Sequence, residues 1–134
     1  MKPLFGDTFF FLAWWNRRDE AHDRAHEFLN RYPGRLLTTR WVLMEVADAF
    51  AASSRMRREV RGLFEEMERD EQIMIVEATV ALYRRGLALY DARPDKEWSL
   101  TDCISFEVMT EEGLEAALTG DRHFEQAGFK ALLV

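Results

Sequence analysis

Apolar positions along the chain fall into short runs and helical stripes that alternate from one end to the other. Leu4-Phe5 is a short apolar pair that predicts a buried strand, followed after Gly6 by a helix starting near Asp7 or Thr8 and running to about Trp15. Asn16-Arg17-Arg18-Asp19 interrupts it, and Asp19 is the expected cap of a second helix over about 20–31, where Ala21, Ala25, Phe28 and Leu29 recur at helical spacing. Tyr32-Pro33-Gly34 ends that helix. A short strand over 35–38 leads into a third helix, capped by Thr38 or Thr39 and reaching about Ala52. Ser53 or Ser54 caps a fourth, 55–69, with Val60, Leu63, Phe64 and Met67 on one side. Gln72 to Val76, apolar and β-branched at Ile73, Ile75 and Val76, is the clearest strand. A fifth helix spans 78–91 and stops before Arg93-Pro94-Asp95, and Ser99 or Thr101 opens a sixth that ends by Gly113. Residues 116–119 and 130–133 read as strands around a short helix at 122–127. Strands alternating with helices predict an α/β fold whose mainly parallel sheet carries helices on both faces.

Composition narrows this picture. A chain of 134 residues, 48% of them apolar, is the size of one domain with one core, and no repeat or low-complexity linker divides 1–134. The longest apolar run, Phe9 to Trp15, is far short of the roughly 20 residues that span a bilayer. With no leader-like start, the expectation is a cytoplasmic protein without a membrane partner. The lone Cys103 excludes an internal disulfide or a cysteine metal cluster and reads as a small buried side chain. A net charge of −6 argues against holding nucleic acid by surface charge alone. It leaves room for a nuclease whose bound cations bring the positive charge to the site itself. The basic group Arg55, Arg57, Arg58 and Arg61 reads as a solvated helix face.

Against this background four acids are out of place: Asp7, Glu45, Asp102 and Asp121. At about 100° per residue, Val42, Leu43, Val46, Ala47 and Phe50 form one apolar arc of the third helix, and Glu45 stands at its rim beside Ala49. On the sixth helix, Leu100, Glu107 and Glu111 share the expected wet side, whereas Asp102 falls between Phe106 and Met109. A carboxylate there needs a cation, an arginine or backbone donors. Asp7 and Asp121 each follow a strand and begin a helix, which places them at the carboxyl edge of a parallel sheet, where open α/β folds form their sites. An aspartate at a helix start is commonly an N-cap, and capping alone accounts for any one of Asp7, Asp102 and Asp121. It does not account for Glu45. Gathered together, the four acids would repel one another unless a hard divalent cation occupied the cage, and the chemistry this permits is metal-assisted hydrolysis.

Other candidates are weaker. His22 and His26 are four apart on a helix but lack the glutamate of a His-Glu-x-x-His motif, and they read as surface histidines. Ser99, Ser105 and His123 form no recognisable nucleophile motif, and there is no glycine-rich phosphate loop. The aromatic run Phe9-Phe10-Phe11 with Trp14 and Trp15 reads as core that leaves room for an apolar partner surface.

The segments that carry the acids, taken in order, resemble the PIN-domain nucleases, and among them the VapC-like toxins of bacterial toxin–antitoxin pairs. The resemblance covers nearly the whole chain: Gly6-Asp7-Thr8 with its apolar helix, Thr38-Thr39-x-x-Val42-Leu43-x-Glu45-Val46, Ser99-Leu100-Thr101-Asp102-Cys103-Ile104-Ser105-Phe106, and Leu118-Thr119-Gly120-Asp121-Arg122-His123-Phe124-x-x-Ala127-Gly128-Phe129. It implies a three-layer α/β/α fold around a parallel sheet of about four to five short strands, and an endoribonuclease dependent on Mg²⁺ or Mn²⁺. It also implies Asp7, Glu45, Asp102 and Asp121 as metal ligands and catalytic acids, with Thr8 and Thr119 as hydroxyl neighbours. Some relatives carry a further acid where this chain has His123, so Asp121 is expected to act partly through water. A homodimer and a cognate antitoxin that covers the acidic pocket are further expectations of the resemblance. The residues alone leave two rivals open: a metal-dependent phosphohydrolase acting on a small phosphate ester, and a non-catalytic PIN-like module that binds RNA or protein.

Overall fold

In a computed structural model that describes all 134 residues, five strands and seven helices alternate along the chain. They are β1 (Leu4–Gly6), α1 (Thr8–Trp15), α2 (His22–Arg31), β2 (Leu36–Thr39), α3 (Arg40–Ala49) and α4 (Ser54–Arg69), then β3 (Ile73–Val76), α5 (Val80–Ala92), α6 (Leu100–Glu111), β4 (Ala116–Leu118), α7 (Arg122–Gln126) and β5 (Lys130–Ala131). The sheet has the order β3-β2-β1-β4-β5, and every pairing is parallel, with Leu4 beside Leu36 and Phe5 beside both Leu37 and Ala117. Helices on its two faces complete the expected three-layer α/β/α arrangement.

Chain connections leave β1 toward β2 on one side, while β4 lies on the other. The gap between the carboxyl ends of β1 and β4 is therefore the point where the winding reverses, and adjacent loops there diverge to open a crevice. The strands feeding it are short and buried because both faces are covered. Phe5, Leu37, Ala117 and Leu118 join Phe10, Val42, Val46, Ile104, Met109 and Phe124 in one continuous core. Thr38 sits inside this core at no cost because its hydroxyl donates to the Gly6 carbonyl at 2.8 Å. α5 and α6 approach closely at Gly86, where a Cβ would meet the Ile104 side chain and backbone, so glycine is what this contact requires.

Several boundaries differ from the sequence expectation, each for a local reason. Asp19 does not cap α2; its side chain accepts the Ala21 N–H at 2.9 Å, closing a turn that delays the helix to His22. α3 ends at Ala49 rather than Ala52, and the strand before it runs through Thr39, whose hydroxyl caps the helix by accepting from Val42 N–H. Ser53 and Ser99 are the caps of α4 and α6. α6 is buried along most of its length, and of the wet side expected for it Leu100 and Glu107 are only half-buried while Glu111 is exposed. His22 is half-buried and not a free surface residue, its Nδ1 lying 2.8 Å from the Ala13 carbonyl, while His26 is exposed. The arginines of α4 do lie in solvent, where Arg55–Glu59 and Arg61–Glu65 form pairs one turn apart. Cys103 is buried, and burial pushes its thiol up to about 11.

Candidate functional site

Asp7 stands at the N-cap of α1, yet its side chain makes no capping bond there. Instead the Thr119 hydroxyl, arriving from the end of β4, donates to Asp7 Oδ2 at 2.9 Å. The same Thr119 oxygen accepts the Asp121 N–H at 3.0 Å, so one hydroxyl ties both loops of the reversal point together. Glu45, half-buried on α3, accepts from the Thr8 hydroxyl at 2.5 Å. Asp102 enters from the first turn of α6 through a capping box: its N–H goes to Ser99 Oγ at 2.9 Å, and its Oδ2 accepts the Ser99 N–H at 3.1 Å. Asp121 is a true N-cap, accepting the His123 N–H at 2.9 Å.

These acids act on one another. Burial raises the Asp7 carboxyl from 3.8 to about 7, with the charges of Asp102 and Glu45 adding to the rise and the Thr119 bond opposing it. Burial likewise raises Asp102, with Asp121 adding to it, and the Ser99 N–H and His123 pulling the other way. Asp7 thus feels the charges of Glu45 and Asp102, whereas the side chains whose ligand atoms all lie within 4.8 Å of one another are Asp102, Asp121 and His123. Asp121 lies toward the outside beside Asp102, its side chain 36% exposed against 11% for Asp102. None of the four forms an ion pair with a lysine or arginine, although the chain forms such pairs elsewhere. A buried carboxylate without a counter-charge costs stability, and an all-oxygen donor set on three elements is what a hard divalent cation accepts. By donor chemistry the residues fit such a cation.

His123 was missed as a member of this group. Its Nδ1 lies 3.0 Å from Asp102 Oδ2 and 3.4 Å from Asp121 Oδ1, joining the last two acids. The signal was present in Asp121-Arg122-His123: a ring two positions after an N-cap lies back over that cap. Ser105, by contrast, is buried with its hydroxyl unpaired. A concavity of about 1100 Å³, lined by Trp14, Trp15, His22, Phe50 and Met56 among others, contains none of the four acids. Its size comes from the open rim between α1, α2 and α4, so volume is a poor guide to where the charged chemistry sits. Phe10 and Phe11 are core, as expected, while Trp14 and Trp15 are only half-buried at that rim.

Comparison with known proteins agrees with this architecture. No curated protein matches the sequence at a significant level. Among solved structures, the chain is similar to the crystal structure of Mycobacterium tuberculosis VapC20, described as a sarcin-ricin loop cleaving toxin. The two share 24% identity over 94% of this chain and 95% of that one, with a TM-score of 0.84. At this identity the likeness speaks for the fold. The family model described as the PIN domain matches residues 4–130, which takes in all four acids and every strand except the last residue of β5. This chain belongs to the PIN-domain family.

Proposed function

We propose that this protein is a divalent-metal-dependent endoribonuclease and the toxin of a toxin–antitoxin pair. The observation that carries the reading is the buried Asp7 carboxyl, crowded by the charges of Glu45 and Asp102 and supplied with the Thr119 hydroxyl but no positive side chain. Family membership supports phosphodiester chemistry, and similarity to a toxin that cleaves the sarcin-ricin loop supports RNA as the substrate class.

Asp7, Glu45 and Asp102 would hold Mg²⁺ or Mn²⁺, with Asp121 at the margin. When bound, the cation supplies the positive charge that draws in the scissile phosphate and acidifies the attacking water. The chain's own part is to fix the acids. Thr119 orients Asp7, Thr8 orients Glu45, and the Ser99 capping box turns Asp102 inward. Each of these partners is anchored to a strand end or a first helical turn, so little rearrangement is needed when a phosphate arrives.

The same reading brings partners. A toxin requires an antitoxin able to exclude RNA from the acids. A second copy has a place on α5, where Val80, Tyr83, Leu87 and Tyr90 are exposed in one stripe. Across a two-fold axis passing residue 85, Val80 would face the other Tyr90 and Tyr83 the other Leu87, so the stripe complements itself. No helix of the chain is long and apolar enough to cross a membrane, and a ribonuclease toxin would work in the cytoplasm, where its RNA is.

The test is cleavage of single-stranded and structured RNA with Mg²⁺ or Mn²⁺. Asp7→Asn, Glu45→Gln and Asp102→Asn should each reduce cleavage by a factor of 100 or more, on the order of 3 kcal/mol of barrier, without loss of fold. Wild-type rates in those variants or in excess EDTA would refute the reading. Turnover of a simple phosphate ester with RNA untouched would replace it by a phosphohydrolase, and metal-indifferent RNA binding without cleavage by a binding module.

A further inference from the structure

We infer that His123 is a metal ligand: its Nδ1, with one oxygen each from Asp102 and Asp121, forms a cation position at the outer edge of the acidic group that selects Mn²⁺ and later transition ions over Mg²⁺. The inference rests on the metal-dependent reading above and deepens it by naming a nitrogen donor.

Three donor side chains meet there from the starts of two helices, Asp102 from α6, Asp121 and His123 from α7. Their ligand atoms all lie within 4.8 Å of one another. His123 Nδ1 is 3.0 Å from Asp102 Oδ2 and 3.4 Å from Asp121 Oδ1. An ion holds oxygen and nitrogen donors at about 2.0–2.2 Å, so donors at neighbouring corners of its shell stand about 3.0–3.5 Å apart. The ring nitrogen thus already stands at ligand spacing from both carboxylates, and no side chain has to be displaced. The position is also open to solvent, with His123 28% and Asp121 36% exposed, whereas Asp7 is buried.

Hydrogen bonds alone leave this group unfinished. The ring nitrogen has a hydrogen-bond partner in Asp102 Oδ2 and makes no hydrogen bond to Asp121. Asp121 Oδ1 accepts only the His123 backbone N–H, at 2.9 Å, and neither acid pairs with a lysine or arginine. One ring hydrogen serves Asp102 and leaves the charge of Asp121 facing the ring uncompensated. A cation between the three serves all of them, with the ring keeping its hydrogen on Nε2 and presenting Nδ1 bare.

The nitrogen decides the kind of ion. Mg²⁺ keeps to carboxylates and water, while affinity for a mixed nitrogen and oxygen set rises from Mn²⁺ along the transition series. An aspartate at position 123 would make the set all oxygen and remove that preference.

Electron-spin-echo spectroscopy of the full chain titrated to saturation with Mn²⁺ reads a coordinated imidazole directly, as modulation by its nitrogen nucleus, and calorimetry gives the affinities. The chain has three histidines, so His123→Ala assigns the signal. The wild type should show the modulation and His123→Ala should lose it. Asp7→Asn should keep it, because this position does not use Asp7. His123→Ala should also lose about tenfold or more in Mn²⁺ affinity, and His123→Asp should bind Mg²⁺ more tightly than the wild type. Mn²⁺ bound to the wild type without nitrogen modulation would overturn the inference and leave the metal-dependent reading standing, a result that holds even if a variant fails to fold. So would wild-type Mn²⁺ affinity in His123→Ala, or loss of the modulation in Asp7→Asn. A wild type that binds no Mn²⁺ at millimolar concentration would remove the metal-dependent reading itself, and the inference with it.

Discussion

Asp7 shows how a single residue trades stability for a site. Its carboxyl has a folded-state pKa of about 7 against 3.8 for the free group, so folding and ionisation oppose each other. Below about pH 4 both folded and unfolded chains hold the proton and nothing is lost. Between pH 4 and 7 the unfolded chain has released the proton while the folded one retains it, so stability falls as pH rises; above 7 the loss is complete. The full difference corresponds to about 4 kcal/mol. Asp7→Asn removes the charge and keeps an oxygen for the Thr119 hydroxyl. Thermal unfolding in EDTA should show this variant more stable than the wild type at pH 8 and equal to it near pH 4. Saturating Mg²⁺ should raise the melting temperature of the wild type and leave Asp7→Asn unmoved. A variant that is less stable at pH 8 would mean that the carboxylate is satisfied by groups other than a metal.

At the scale of elements, the acids are placed by helix starts. α1, α6 and α7 each begin beside the crevice, and their first turns carry Asp7, Asp102 and Asp121. Capping and the proposed metal site compete for the same residues, and the chain divides these acids differently at each helix. Asp7 is released from capping, Asp121 caps outright, and Asp102 leaves the N-cap to Ser99 and takes the third position. Ser99→Ala should cost about 1 kcal/mol of stability, read from denaturant unfolding, because the Asp102 N–H loses its acceptor. Cleavage should be nearly unchanged, since Asp102 still accepts from the Ser99 backbone. A collapse of activity with stability intact would place the Ser99 hydroxyl in the reaction itself. The order of strands and helices was legible from alternation of apolar runs and stripes. The start of α2 was not, because Asp19 and Asn16 both prefer to close turns on their own backbone neighbours, Asn16 Oδ1 accepting from Arg18 N–H and Asp19 Oδ1 from Ala21 N–H.

For the molecule as a whole, the apolar stripe on α5 is the largest claim on a partner outside the acidic crevice. Val80 is 64% exposed and Tyr90 50%, in a helix whose other side packs against α6. Two such stripes joined antiparallel would bury one another. Leu87→Glu puts a charge at the middle of that contact and should convert a dimer to a single-chain mass by light scattering, with the melting temperature of the monomer preserved because Leu87 lies outside the core. A wild type already monomeric at high micromolar concentration would dismiss the contact.

By itself the sequence determined the α/β class, the parallel sheet and the four acids worth suspecting, because periodicity, turn residues and burial preferences are local properties that a chain writes in order. Asp7, Asp102 and Asp121 were visible as acids at element starts, and Glu45 as an acid at the rim of an apolar arc. Which of them meet was decided only by the tertiary structure. The Thr119–Asp7 bond spans 112 residues and the His123–Asp102 contact 21. Both depend on the strand order that lays β4 against β1, and no spacing along the chain records that choice. His123 was therefore set aside on sequence and became central in space: its chemistry comes from the two carboxylates brought beside it, and not from its neighbours in the chain.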